Sequence, residues 1–187
     1  MSGGNNGAVP INCFALVTYI PGPLGEFLDQ LRRELVPTCL PRAHVTILPP
    51  RPVSAPTEAA IGQLNEWIAA VPPFEIETRQ VEIFDSTSVI YIGLGGGRER
   101  IKRIHDQLNA GLLAFAEPFP YHPHITLAQE IVPEQVARAR EEAKKRWAEF
   151  KGPRTFAAET ITFVQNTSDN RWVDLAHWTL GAVPNAG

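Results

Sequence analysis

Two short stretches of this 187-residue sequence carry acid–base side chains in the same local pattern. Pro41-Arg42-Ala43-His44-Val45-Thr46-Ile47-Leu48 and Tyr121-His122-Pro123-His124-Ile125-Thr126-Leu127-Ala128 each contain a histidine, a β-branched residue, a threonine and an aliphatic, and the two histidines lie 80 residues apart. Strand side chains alternate faces, so His44 shares a face with Thr46, and His124 with Thr126. Val45, Ile47, Ile125 and Leu127 then point the other way, toward a core. Two imidazoles and two hydroxyls around one cavity suit phosphoryl transfer. One histidine, unprotonated, takes a proton from the attacking hydroxyl or water, and the other, protonated, gives one to the leaving oxygen. The threonine hydroxyls and nearby backbone amides hold the non-bridging oxygens. No metal or other cofactor is required. By the same alternation Arg42 is placed to contact a phosphate, and His122 to orient His124 or cap its strand. A lone His-x-Thr is an ordinary strand sequence; two in matched settings point to a duplicated functional unit.

The elements that must hold these residues follow from hydrophobic period and punctuation. The sequence predicts strands over 11–20, 42–48, 74–84, 88–94, 156–164 and 172–180, with the second His-x-Thr strand beginning near His124. It predicts helices over 24–35, 58–70, 98–115 and 133–150, closed or opened by Pro37, Pro41, Thr57 as an N-cap, and Pro133 at the first helical turn. Each half reads as a helix, a His-x-Thr strand, a helix and a hairpin, and the 80-residue offset also lays Val81–Phe84 on Ile161–Val164. The expected fold is α+β and bilobal, with pseudo-two-fold symmetry. Each lobe is an antiparallel sheet flanked by helices on one face, and the two His-x-Thr strands face each other across a central cleft.

The totals bound the rest. The length suits one domain, taken as residues 8–182, with 1–7 as a flexible tail and a second tail after Gly181. A net charge of −3 argues against broad, sequence-independent binding to a nucleic-acid backbone but leaves room for a local anion site. The two cysteines, Cys13 and Cys39, offer neither a disulfide framework nor metal spacing, which fits a reduced, cytoplasmic protein. No apolar run reaches membrane-spanning length, and no signal peptide is evident. His105, on a helix among charges, is expected at the surface, and His177, beside Trp178, is expected to be structural.

The paired motifs His44-Val45-Thr46-Ile47 and His124-Ile125-Thr126-Leu127, in this order and spacing from Phe14 to Leu180, resemble those of the 2H phosphoesterase superfamily. That superfamily includes bacterial 2′-5′ RNA ligase-like proteins and cyclic phosphodiesterases. The resemblance implies metal-independent chemistry on 2′,3′-cyclic or 2′-5′ phosphodiester groups, with His44 and His124 as base and acid and Thr46 and Thr126 on the phosphate. It departs at Gln129, where ligase-type members often carry arginine, which weakens the case for a long, charged RNA substrate and for ligation in particular; Arg51 is a candidate replacement charge. Phe14, Tyr91, Tyr121 and Trp172 are candidates to stack on a base. Tyr121 is the best placed, and core packing is the competing reading for Phe14 and Trp172. The implied partner is an RNA end or small nucleotide, with no DNA or membrane partner and a monomeric enzyme. The alternatives are a non-catalytic nucleotide- or RNA-end-binding module using the same cleft, and a metal site of His44, His122 and His124, disfavoured because neither motif has a carboxylate or cysteine nearby.

Overall fold

The computed structural model describes residues 8–40 and 42–181. The expected tails over 1–7 and after Gly181, and the role given to Pro41, lie outside the described residues.

The chain runs β1 (Pro10–Tyr19), α1 (Gly22–Leu35), β2 (His44–Arg51), α2 (Thr57–Ile68), β3 (Phe74–Phe84), β4 (Val89–Leu94), α3 (Arg98–Leu108), a 3-10 turn (Gly111–Leu113), β5 (His124–Ala128), α4 (Pro133–Glu149), β6 (Thr155–Ala158), β7 (Thr160–Thr167) and β8 (Trp172–Thr179). The strands form two four-stranded antiparallel sheets of order β2-β1-β7-β8 and β5-β4-β3-β6. This is the expected α+β class with two sheets.

Each helix buries its periodic stripe: Leu24, Leu28 and Leu31 of α1, Ala60, Leu64 and Ile68 of α2, Ile101, Ile104 and Leu108 of α3, Ala143 and Trp147 of α4. These meet Val45, Ile47, Ile125 and Leu127, the odd-numbered residues of the two motif strands, in one continuous core. The alternation inferred from sequence thus holds: the apolar positions anchor both strands and leave the histidines and threonines on the other face.

The lobes are not the two halves of the sequence. The β3–β4 hairpin of the first half pairs through β4 with β5 of the second, and the β7–β8 hairpin of the second half pairs through β7 with β1 of the first, whose other edge carries β2. The repeating unit is β-α-β-α-β, β1 to β3 and β4 to β7, and each unit gives its last strand to the other sheet. The segment expected as one strand over 156–164 is also divided. Glu159 separates β6, which pairs with β3, from β7, which pairs with β1. Two helix ends differ as well. Thr57 is the first helical residue of α2 rather than its cap, because Pro56 occupies the N-cap. The third helix stops at Leu108 rather than Phe115. There the Asn109 side chain accepts from the Phe115 amide (2.9 Å) and donates to the Phe115 carbonyl (3.2 Å), turning the chain.

Candidate active site

The motif strands β2 and β5 are edge strands of their own sheets, and the two edges lie against each other. The Tyr121 hydroxyl joins them by donating to the Thr46 carbonyl at 2.6 Å. Helix α1, from the first sheet's connection, packs on β5, and α3 packs on β2, so each motif strand is supported by the other repeat.

His44, Thr46, His124 and Thr126 line one cleft of about 1350 Å³. The histidines are held alike. His44 Nδ1 lies 2.6 Å from the Arg42 carbonyl, and His124 Nδ1 lies 2.6 Å from the His122 carbonyl. A carbonyl can only accept, so each Nδ1 carries the hydrogen and each Nε2 is left for the cleft. The rings are braced by aromatic edges: Tyr19 against His44 (6.4 Å), and Phe84 (5.1 Å) and Tyr91 (5.2 Å) against His124.

Both imidazoles are less basic than usual. Loss of hydration at the cleft floor pushes His44 from 6.5 to about 4, and the positive fields of Arg32 and a charged His124 act in the same direction. His124 is lowered chiefly by burial, and its bond to the His122 carbonyl opposes this. The protein alone therefore favours two neutral rings. An anion in the cleft would supply the negative charge that makes an imidazolium favourable there.

Of the expected binding residues, Arg42 and Gln129 line the cleft. The Arg42 guanidinium lies over the Tyr19 ring at 4.0 Å, and the Tyr19 hydroxyl donates to Asp174 Oδ1 at 2.6 Å. The other expected residues stand elsewhere. Phe14 stacks on Phe163 in the core, because its even-numbered position on β1 faces the helices together with Leu16. Tyr91 is buried on Phe84, with its hydroxyl on Glu82, and reaches the site only as a brace for His124. Tyr121 is stacked on His105 at 3.8 Å with its hydroxyl engaged, so its face is not open to a base. The His122 ring packs edge-on against Phe84 and Tyr91 outside the cleft lining; its carbonyl, not its ring, orients His124. Arg51 is fully buried and bonded to Pro49, Asn109, Leu113 and Glu117, so it supplies no charge to the cleft.

Two further histidines also depart from expectation. His105 is buried, with its ring nitrogens 2.9 Å from Asp106 and Glu117, and His177 is exposed on β8. Trp172, favoured as a core residue, lines the cleft. Among the described residues no three His, Cys, Asp or Glu converge to hold a metal ion, and His44, His122 and His124 do not form such a group.

Sequence reasoning missed Tyr19, Asp174, Arg32 and Arg171, all of which line the cleft. Arg32 carried a readable signal: it sits four residues after Leu28 on the apolar stripe of α1, where a charge needs a reason. Arg171, in the β7–β8 turn and paired with Asp169, carried none.

A family model described as the 2′-5′ RNA ligase superfamily matches residues 20–170. An RNA 2′,3′-cyclic phosphodiesterase of Aeropyrum pernix is 34% identical over 117 residues, which span 54% of this chain and 65% of that protein. Among solved structures, E. coli LigT complexed with phosphate superposes with a TM-score of 0.63 at 18% identity, covering 92% of this chain and 99% of that one. The protein TT0787 of Thermus thermophilus superposes with a TM-score of 0.64 at 17% identity, covering 90% and 97%. The two structures share the fold; the family match runs through both histidine strands and the strand exchange between them. The chain belongs to the 2′-5′ RNA ligase superfamily.

Proposed function

We propose that the chain is a metal-independent phosphoesterase that opens 2′,3′-cyclic phosphates or cleaves 2′-5′ phosphodiesters at RNA ends or on nucleotides. The observation that carries this reading is the matched pair of histidines. Both Nδ1 atoms are tied to the carbonyl two residues before their own histidine, just ahead of the strand, both Nε2 atoms are left for one cleft, and each histidine is accompanied by a threonine on the same face. Membership of the superfamily and the similarity to an RNA 2′,3′-cyclic phosphodiesterase support a phosphoesterase activity of this type.

In the reaction, the neutral imidazole of one histidine takes a proton from water as the water oxygen bonds to phosphorus. The P–O2′ or P–O3′ bond breaks, and the other histidine, as imidazolium, protonates the departing oxygen. The product is a phosphomonoester, and the proton pair is restored by exchange with solvent. The two rings are tethered alike, each through Nδ1 to the carbonyl two residues before it, so the tether does not assign base to one and acid to the other. Thr46 and Thr126 donate to the non-bridging oxygens, where charge builds in the transition state, and Arg42 adds a cation at the rim.

The test is incubation with the four nucleoside 2′,3′-cyclic monophosphates and a short RNA ending in a cyclic phosphate, with a chelator present throughout. Turnover should occur and fall by orders of magnitude in His44→Ala and in His124→Ala, each still folded. Full activity in either variant, or activity abolished by the chelator, would overturn the proposal.

A further inference from the structure

A second, smaller apolar cluster lies apart from the core. Ala15, Val17 and Val164 are nearly fully buried, and Tyr19 and Trp172 pack against them. All five line the cleft. The three aliphatic residues are themselves covered and serve as backing; the partly exposed rings of Tyr19 and Trp172, one at each end on the cleft side of the sheet, are what a flat ring system could meet.

The strand register locates its two ends. Tyr19 is the direct neighbour of His44, so that end adjoins the catalytic pair. Trp172 belongs to the far end. Thr46 pairs with Val17, and Val17 with Thr162; Trp172 pairs with Asn166, four residues further along β7. Strand spacing and rise put the Trp172 backbone roughly 14 Å across the strands and roughly 13 Å along them from Thr46. That offset exceeds the reach of a single nucleoside from a phosphate held at the threonines, and it suits the next nucleoside of a chain. The cleft volume of about 1350 Å³ exceeds that of a usual small-molecule pocket, as a longer ligand requires.

Resting on the phosphoesterase reading above, we propose that the Trp172 ring, backed by Ala15 and Val164, is a subsite for the nucleobase adjacent to the one bearing the reacting phosphate, so that the cleft takes an oligonucleotide end rather than a mononucleotide. The subsite holds any base. The Asn166 side chain is already engaged with Asn170 and the Thr167 amide, and Asp174 accepts from Tyr19. Arg171 beside it is exposed and held through Nε to Asp169, so its nearest polar neighbour is a mobile cation rather than a fixed donor–acceptor pair.

The test compares kcat/KM for a nucleoside 2′,3′-cyclic monophosphate and for dinucleotides ending in a 2′,3′-cyclic phosphate, with each of the four bases and an abasic sugar at the 5′ position. In the wild type the dinucleotides should be preferred roughly tenfold or more, with the four bases within a few-fold of one another, and the abasic compound should lose the preference. Trp172→Ala should collapse the dinucleotide-to-mononucleotide ratio through KM, and Trp172→Phe should restore most of it. An unchanged ratio in Trp172→Ala overturns the subsite while leaving the phosphoesterase intact. If no compound turns over, equilibrium binding of dinucleotide and mononucleotide 3′-phosphates decides the subsite alone. A dinucleotide preference that disappears in Trp172→Ala supports it, and equal affinities overturn it.

Discussion

His44 folds with its imidazole neutral, and that has consequences for stability and for rate. Its pKa falls from 6.5 to about 4 through burial, so the unfolded chain binds the proton more tightly than the native one. The stabilisation from holding the ring neutral is fully present above about pH 6.5 and is lost as the pH falls toward 4. Allowing for partial solvent access in the cleft, it is on the order of 2 kcal/mol. Thermal melts at pH 7.5 and 4.5 should show a smaller acid-induced drop in Tm for His44→Gln than for the wild type; equal drops would refute the assignment. The same depression should govern turnover. Because both rings of the free protein are weak bases, the pH optimum of kcat/KM should lie below 6.5. The bound phosphate anion favours imidazolium, so the alkaline limb of kcat should sit at higher pH than that of kcat/KM. Coincident limbs would count against a histidine acid in contact with the phosphate. At this scale the sequence was most legible where chemistry is local. His-x-Thr works through positions two apart on one strand, and the tether of each ring is the carbonyl two residues before it. Arg51 and Tyr121 were misread because their partners lie far away in sequence: Asn109 and Glu117 for the first, Thr46 and His105 for the second.

The distance between the two motif strands depends on a small buried assembly of side chains from β2, α3 and the approach to β5. Tyr121 bonds the Thr46 carbonyl, His105 lies flat on Tyr121, and Glu117 contacts both His105 and Arg51. Tyr121→Phe keeps the ring stack and removes one hydrogen bond, a cost of about 1 kcal/mol in stability. Its larger effect should be on kcat, roughly tenfold or more at nearly constant KM, because a small displacement of one strand separates the two histidines that the proposed reaction uses together. A loss of stability with unchanged kcat would reduce Tyr121 to a structural role. Glu117→Ala leaves the Arg51 guanidinium buried without its counter-charge and should destabilise the fold by about 3–5 kcal/mol, read by chemical denaturation. Most element types were legible from hydrophobic period and proline placement. The breaks were less so: β6 and β7 read as one strand because Glu159 interrupts an otherwise continuous β-like run, and only their pairing with different sheets separates them.

At the scale of the molecule, the exchange of the last strand between repeats binds the two sheets into one folding problem. The 80-residue offset revealed which elements are equivalent, but equivalence does not say which copy an element pairs with, and neighbours in sequence are the usual assumption. Here each hairpin pairs internally as neighbours do, but it completes the sheet of the other half's motif strand rather than its own. A fragment spanning 8–86 would contain β1 and β2 as a bare two-stranded ribbon and β3 with no partner. A fragment spanning 87–181 would keep β4 with β5 but lack β3, leaving β6 without a partner, and would keep β7 with β8 but lack both β1 and β2. Two-stranded ribbons are marginal in water, and the unpaired edges would sit beside apolar faces that the missing repeat covers. The core is likewise shared, since Val45 and Ile47 from one repeat and Ile125 and Leu127 from the other belong to the same cluster. Neither fragment should therefore show cooperative unfolding or dispersed amide resonances alone, and the two mixed or co-expressed should recover both. The intact chain should unfold in a single transition by near- and far-ultraviolet circular dichroism. One fragment folding by itself, or two separated transitions in the whole chain, would show that the sheets are independent units. The shared cleft would then be an interface between two units, and the spacing of the histidines would be free to vary.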